Sequence, residues 1–276
     1  MSYTYHPRSY ETIFGTEGPD FIEVLDPIDG SPAPGTIVWA EGGDDFVYGS
    51  SGDDGLYGGE GNDVISGGIG SDFIDGGPGN NIIFGEWENR PADIEAPDPV
   101  ICAEVDVAVS YDDWLIGRGG DDILVGQWGN DLLSGNRGTD LLFGGIGDDT
   151  LKGGQGYDEL DGGSGNDLLL GNDGADILFG HGGADILKGG RGADWAYGGG
   201  GADIFVFHAL TLRDDKVDGI GDFTAGEDRI EILAAAEEIS FVQNGDDVEI
   251  FVQDRLEVLV LKADAGEVAA ATDLIL

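Results

Sequence analysis

From Ala108 to Val206 the chain divides without a gap into eleven blocks of nine residues. The sixth position of every block is aspartate: Asp113, Asp122, Asp131, Asp140, Asp149, Asp158, Asp167, Asp176, Asp185, Asp194 and Asp203. The eighth position is equally strict in being apolar, running Leu115, Leu124, Leu133, Leu142, Leu151, Leu160, Leu169, Leu178, Leu187, Ala196 and Phe205. Glycines frame both positions, as in GGIGDDTLK (144–152), GGQGYDELD (153–161) and GGRGADWAY (189–197). A nine-residue unit cannot bury an apolar side chain by itself. Successive units must therefore stack on one another as a solenoid.

Within a block, positions seven to nine are long enough for one short strand, with position eight turned inward and its neighbours outward. The six residues GGxGxD then make the turn to an opposite sheet. Glycine is needed there for positive φ and for carbonyls crowded together without a Cβ. Two blocks complete one coil, so the aspartates of blocks n and n+2 stack, for example Asp113 with Asp131 and Asp122 with Asp140. Carboxylates and carbonyls form an all-oxygen surrounding, which suits a hard cation taking six to eight oxygens, such as calcium. Local turn stabilisation would be served as well by Asn or Ser, and the sixth position of the long run uses neither.

A shorter run of five blocks, Ala40 to Phe84, carries Asp45, Asp54, Asp63, Asp72 and Asn81 at the same position. The Asn81 amide can ligate through oxygen but brings no charge, which predicts a weaker site. A ragged block, GTEGPDFIE (15–23), precedes this run and reads as a degenerate cap. The register lapses for 23 residues, Gly85 to Val107, which include Pro91, Pro97 and Pro99, and this reads as a loop excursion. Beyond Val206 alternating apolar runs appear at 248–252 and 256–261, with a turn signal at Asn244-Gly245. They predict the cap that an open solenoid end requires. The expected fold is all-β: a calcium-bound parallel β-roll in two segments with a β-rich C-terminal cap. Its parts are an N-terminal arm with the degenerate repeat (1–39), a first roll segment (40–84), the excursion (85–107), a second roll segment (108–206) and the cap (207–276).

The formal net charge of −44, from 56 acidic and 12 basic residues, excludes nucleic acid as a partner. Aspartates paired two blocks apart within each run predict roughly twelve calcium ions. That many ions would bring the charge to about −20. The lone Cys102 leaves no internal disulfide and no cysteine-based zinc site. No stretch approaches the length of a transmembrane helix. Neither HExxH nor GxSxG occurs, and His6, His181 and His208 suggest no triad or metal trio, so no enzyme is expected. The alternative is a polysaccharide-modifying enzyme or polysaccharide-binding module, with Trp87, Glu88, Arg90, Asp93 and Glu95 of the excursion lining a groove. Outward positions of alternate blocks are apolar at Ile123/Val125, Leu141/Phe143, Ile177/Phe179 and Trp195/Tyr197. Either other parts of the chain cover them or they form a face for self-association.

From about Gly15 to its end the chain resembles the repeats-in-toxin (RTX) family, whose calcium-binding nonapeptide has the form GGxGxDxUx with U apolar. GIGDFTAGEDRIEIL (219–233) resembles the segment after the repeats in serralysin-like C-terminal domains. The final Thr272-Asp273-Leu274-Ile275-Leu276 is similar to the uncleaved signal read by a type I exporter. The resemblance implies a secreted, extracellular or cell-surface protein that folds on calcium outside the cell. Its implied role is structural or interactive, in a matrix, surface layer, adhesion or biofilm.

Overall fold

The computed structural model describes residues 2–5, 12–25, 35–85, 111–208, 217–233, 239–252 and 255–275. The nine-residue period becomes two sheets, one of 14 strands and one of 12, with alternate blocks feeding alternate sheets. Neighbouring strands in the roll are parallel. In one sheet Ile123, Leu141, Glu159, Ile177 and Trp195 stand in register. In the other the series is Trp114, Leu132, Thr150, Leu168, Ile186 and Ile204. Between the sheets runs the eighth-position spine, with Leu56, Ile65, Ile74, Ile83 and the leucines from Leu115 to Leu178 all at 0% exposure. Each such side chain contributes about 1.5–3 kcal/mol of burial.

In the first run the strands are three residues long, as in Val64–Ser66 and Ile82–Phe84. In the second run many are six or seven, for example Leu132–Gly138 and Thr150–Gly156. These longer strands exceed the expected trio because the first turn residues also pair between coils, with Asn136 opposite Gly154 and Arg137 opposite Gln155.

The two runs stack as one continuous roll. Trp114 pairs with Phe73 and Ile123 with Ile82, and Gly76 N donates to Ile116 O at 2.8 Å. Arg118 bridges the same junction by donating through Nε and Nη2 to the Asp75 carboxylate. The stack is therefore unbroken between the described residues on either side, Gly85 and Tyr111. Residues 86–110, including the groove proposed on Trp87, Glu88, Arg90, Asp93 and Glu95, lie outside the described residues, as does His6.

The roll also begins earlier than the repeats. Ser2–Tyr5 and Phe21–Val24 extend one sheet, and Thr12–Thr16 extends the other by pairing with Ile37–Glu41. Here an inward apolar residue, Ile13 or Ile22, is enough to continue the spine. At the far end Asp218–Ile220 and Arg229–Leu233 add parallel strands, and an antiparallel set (Ile239–Asn244, Asp247–Val252, Arg255–Val260) follows. A short helix, Ala265–Ala270, was not anticipated. Asp264 caps it by accepting from Gly266 N and Glu267 N, and its Val268 is buried. Thr272–Ile275 then forms the edge strand beside Arg229–Leu233.

On the outer surface Phe143 is exposed, whereas Ile123, Val125, Leu141, Ile177, Phe179, Trp195 and Tyr197 are half-buried. Rings more exposed than Phe143 stand on both sheets, at Phe21 (38%) and Phe46 (40%) on the same one and at Phe14 (61%), Trp39 (41%) and Trp114 (48%) on the other.

Candidate metal centre

Every aspartate predicted at position six is buried, from Asp45 to Asp203, as is Asn81. The turns align them in two columns, one along each edge of the roll. One runs Asp20, Asp45, Asp63, Asn81, Asp122, Asp140, Asp158, Asp176, Asp194 and Asp218. The other runs Asp54, Asp72, Asp113, Asp131, Asp149, Asp167, Asp185, Asp203 and Asp228. The link between rungs is constant: the Oδ1 of one residue accepts the backbone N–H of the residue one coil earlier. Asp113 N donates to Asp131 Oδ1 at 2.7 Å, Asp131 N to Asp149 Oδ1 at 2.7 Å and Asp122 N to Asp140 Oδ1 at 2.9 Å. The expected pairs are thus brought together, and both columns cross the junction through Asp72 N to Asp113 Oδ1 (2.7 Å) and Asn81 N to Asp122 Oδ1 (2.6 Å). The junction pairs were not foreseen, because the excursion separates their members by 41 residues instead of 18.

The second oxygen is different. The Oδ2 atoms of Asp45, Asp63, Asp72, Asp113, Asp122, Asp131, Asp140, Asp149, Asp158, Asp167, Asp176, Asp185 and Asp203 are buried with no hydrogen-bond partner. A buried ionised oxygen without a partner is strongly destabilising unless a counter-charge meets it. Burial accordingly pushes these carboxyls up, Asp113 to about 9, Asp72 and Asp131 to about 8, and Asp140 and Asp176 to about 7.

What faces each Oδ2 is an opening kept by glycine. A Cβ on Gly126 would collide with Asp131 Oδ2 and lie 2.7 Å from Gly144 O. Positions two and four hold the turn open in left-handed backbone, as at Gly145 (φ 117°) and Gly147 (φ 141°). Even Arg118, Gln127 and Asn136 adopt it at position two, with φ of 80°, 80° and 76°.

Asn81 reveals which carbonyls converge on the opening. Its Nδ2 donates to Gly77 O at 3.1 Å, to Gly79 O at 3.3 Å and to Gly117 O at 3.5 Å. These are the carbonyls of positions two and four of its own block and of position one a coil later. The equivalent oxygens beside Asp131 belong to Gln127, Gly129 and Gly144. A positive group placed against such carbonyls and an aspartate Oδ2 meets only oxygen, which is the donor set of a hard divalent cation. Among the described residues no group of three or more His, Cys, Asp or Glu side chains converges, so backbone carbonyls would supply much of each shell.

Position five carries a second, exposed ladder that the nonapeptide pattern, which leaves this position open, does not mark. Asn62 N donates to Asp44 Oδ1 at 2.9 Å, Asn130 N to Asp112 Oδ1 at 2.8 Å and Asp148 N to Asn130 Oδ1 at 2.8 Å. Its signal was the recurrence of Asp and Asn at that position, hidden among residues treated as variable. His181 is exposed at position two, with Nε2 3.1 Å from Asp161 Oδ2.

The family model of the RTX calcium-binding nonapeptide repeat matches residues 37–56, 57–89, 107–142, 143–178 and 179–208, more than half of the chain. No curated protein matches it. Among solved structures, the AlgE6R3 subunit of the mannuronan C5-epimerase from Azotobacter vinelandii is 26% identical, with a TM-score of 0.26 over 47% of this chain and 78% of that one. The extracellular lipase LipA from Serratia marcescens is 16% identical, with a TM-score of 0.32 over 87% of this chain. The match spans 40% of the lipase chain. At those scores neither likeness bears on what this chain does. The matched repeats and their carboxylate columns make this chain a member of the RTX family of calcium-binding nonapeptide repeat proteins.

Proposed function

We propose that this protein is a secreted calcium-binding RTX protein that folds on calcium outside the cell and serves a structural or interaction role there. The observation carrying this reading is the pair of columns of buried carboxylate oxygens without protein partners. They make the roll unstable where calcium is scarce and stable where it is plentiful, because the sites form only as the chain folds. On the order of a dozen ions would be taken up, held by the position-six carboxylates and the neighbouring carbonyls. A chain kept unfolded inside the cell suits passage through a type I exporter. The exposed Phe14, Trp39, Phe143 and Trp114 give the folded roll apolar surface for self-association.

The test is a calcium titration of the full chain, followed by circular dichroism and sedimentation. Folding should occur at about 10⁻⁴ to 10⁻³ M calcium, as for other extracellular modules, and magnesium, with its strict octahedron, should not replace it. Absence of a folding transition up to millimolar calcium would overturn the reading. Monomer at every concentration in calcium would remove self-association.

A second reading, polysaccharide binding, is favoured by a row of rings on the 12-stranded sheet. Trp39 stacks on Tyr57 at 3.9 Å, and Phe73 stands 5.6 Å from Tyr57 and 5.2 Å from Trp114. Affinity electrophoresis in neutral polysaccharides would detect it as a retardation lost in Trp39→Ala.

A further inference from the structure

Not every rung leaves its carboxylate open. At Asp54 the Oδ2 accepts from Ser50 N at 2.7 Å and from Ser50 Oγ at 3.0 Å. At Asp20 it accepts from Thr16 N at 2.6 Å and from Thr16 Oγ1 at 2.9 Å. At Asp228 it accepts from Thr224 N at 2.7 Å. In each case the donor stands four residues before the aspartate, at position two, where the other described turns of the roll have glycine or a left-handed residue. The backbone differs too. Glu41, Arg118, Gln127, Asn136, Asn172 and His181 all hold positive φ at position two, whereas Thr16, Ser50 and Thr224 do not. A β-branched residue is badly strained in that region, so Thr turns its N–H toward the carboxylate instead. The hydroxyls of Thr16 and Ser50 also accept from Gly18 N and Gly52 N, both at 3.3 Å, which closes those turns on themselves.

Asn81 reaches the same end from the opposite side. Its Nδ2, standing where other rungs place Oδ2, donates to the carbonyls of Gly77, Gly79 and Gly117, so these oxygens meet a neutral donor in place of a cation.

We infer that Thr16, Ser50, Thr224 and the Asn81 carboxamide take the place of a cation, so that the rungs at Asp20, Asp54, Asp228 and Asn81 bind none. The placement gives this a purpose. Asp20 is the first carboxylate of one column, and Asp54 and Asp228 are the first and last of the other. Asn81 lies in the last turn before the repeat lapses. Rungs that close without calcium thus stand at the start of both columns, at the end of one, and in the last turn before the repeat lapses. This rests on reading the open rungs as calcium sites, and it assigns Asp54 and Asn81, both candidate ligands by sequence, to the calcium-free class.

Native mass spectrometry of the full chain in saturating calcium resolves whole numbers of ions and tests the inference. Ser50→Gly restores the motif GGSGDD and Asn81→Asp restores GGPGND, so each should bind one ion more than the wild type. Asp54→Asn should leave the count unchanged, while Asp72→Asn, one coil on, should lower it by one. An unchanged count in both Ser50→Gly and Asn81→Asp, or a loss of one ion in Asp54→Asn, would overturn it. Should either gain-of-site variant fail to fold, the Asp54→Asn and Asp72→Asn pair still decides. A wild type that binds no calcium would instead remove the proposed function beneath it.

Discussion

Substitution of Asp149 separates the two tasks of a column carboxylate. Its Oδ1 accepts the Asp131 N–H at 2.7 Å, and its Oδ2 is buried without a partner. Asp149→Asn keeps the first contact and removes the charge, whereas Asp149→Ala removes both. A cation site present only in the folded state adds RT ln(1 + [Ca]/Kd), so its loss costs about 2.7 kcal/mol at 100 times Kd and about 4.1 kcal/mol at 1,000 times. The stability difference between wild type and Asp149→Asn should therefore widen by about 1.4 kcal/mol for each tenfold rise in calcium. Asp149→Ala should lose a further 1–3 kcal/mol, roughly independent of calcium, because the buried Asp131 N–H is left without an acceptor. Urea unfolding followed by circular dichroism, at fixed calcium between about 10⁻⁴ and 10⁻² M, measures both effects. Parallel plots of stability against log calcium for wild type and Asp149→Asn would refute the assignment of Oδ2 to a cation. Equal losses in the two variants would refute the role given to Oδ1.

Gly144→Ala should lower the bound calcium by one and destabilise the loaded roll by about 1–3 kcal/mol. Its Cβ would strike Asp149 Oδ2 and lie 2.6 Å from Gly162 O, while Gly144 itself is not left-handed and tolerates alanine in backbone terms. An unchanged ion count by native mass spectrometry would contradict the glycine opening. Leu151→Ala, in the fully buried spine, should cost about 2–5 kcal/mol in urea at saturating calcium without changing the number of ions. Acid should partly replace calcium. Because burial raises Asp113 to about 9 and Asp131 to about 8 from 3.8, the calcium-free roll binds protons more tightly than the unfolded chain. Its stability should thus fall as pH rises between those limits and be regained on acidification. Calcium-free circular dichroism with no gain of β-structure toward pH 4–5 would count against this.

The two sheets and their spine were legible because one period carried both signals: Leu115 and Asp113 recur together, and a register error would expose the whole spine. The strand Phe21–Val24 was legible through the degenerate block at 15–23, but Ser2–Tyr5 and Thr12–Thr16 were not, because Ile13 continues the spine without the glycine turn that marks a repeat. The junction of the two runs escaped for a related reason. Pairing of Trp114 with Phe73 depends on three-dimensional stacking, which a chain excursion of any length can permit. In the candidate site, the strictness of position six concealed a division among its members. Asp54 and Asp72 look alike in sequence, and the difference lies four residues earlier, in Ser50 against Gly68, at a position where Arg118 and His181 also occur. Only the backbone conformation distinguishes a hydroxyl that closes the turn from a side chain that simply projects from it.

The same division follows from the electrostatics of a column. Parallel strands lie about 4.8 Å apart, and two unit charges at that separation repel by about 3.5 kcal/mol at an effective dielectric of about 20. An interior carboxylate such as Asp131 has a charged neighbour on each side, Asp113 and Asp149, so its repulsion exceeds what one spine leucine contributes. While the carboxylates are ionised, a counter-charge between rungs is what reverses that sign. Asp54 has Asp72 on one side but Thr36 on the other, where Thr36 N donates to its Oδ1 at 2.5 Å. Facing one charge instead of two, it can be held by donors worth about 1.5–3 kcal/mol each to a charged group. Hydroxyl closure therefore suffices at the ends of a column and fails in its interior, where the described turns keep glycine or another left-handed residue at position two.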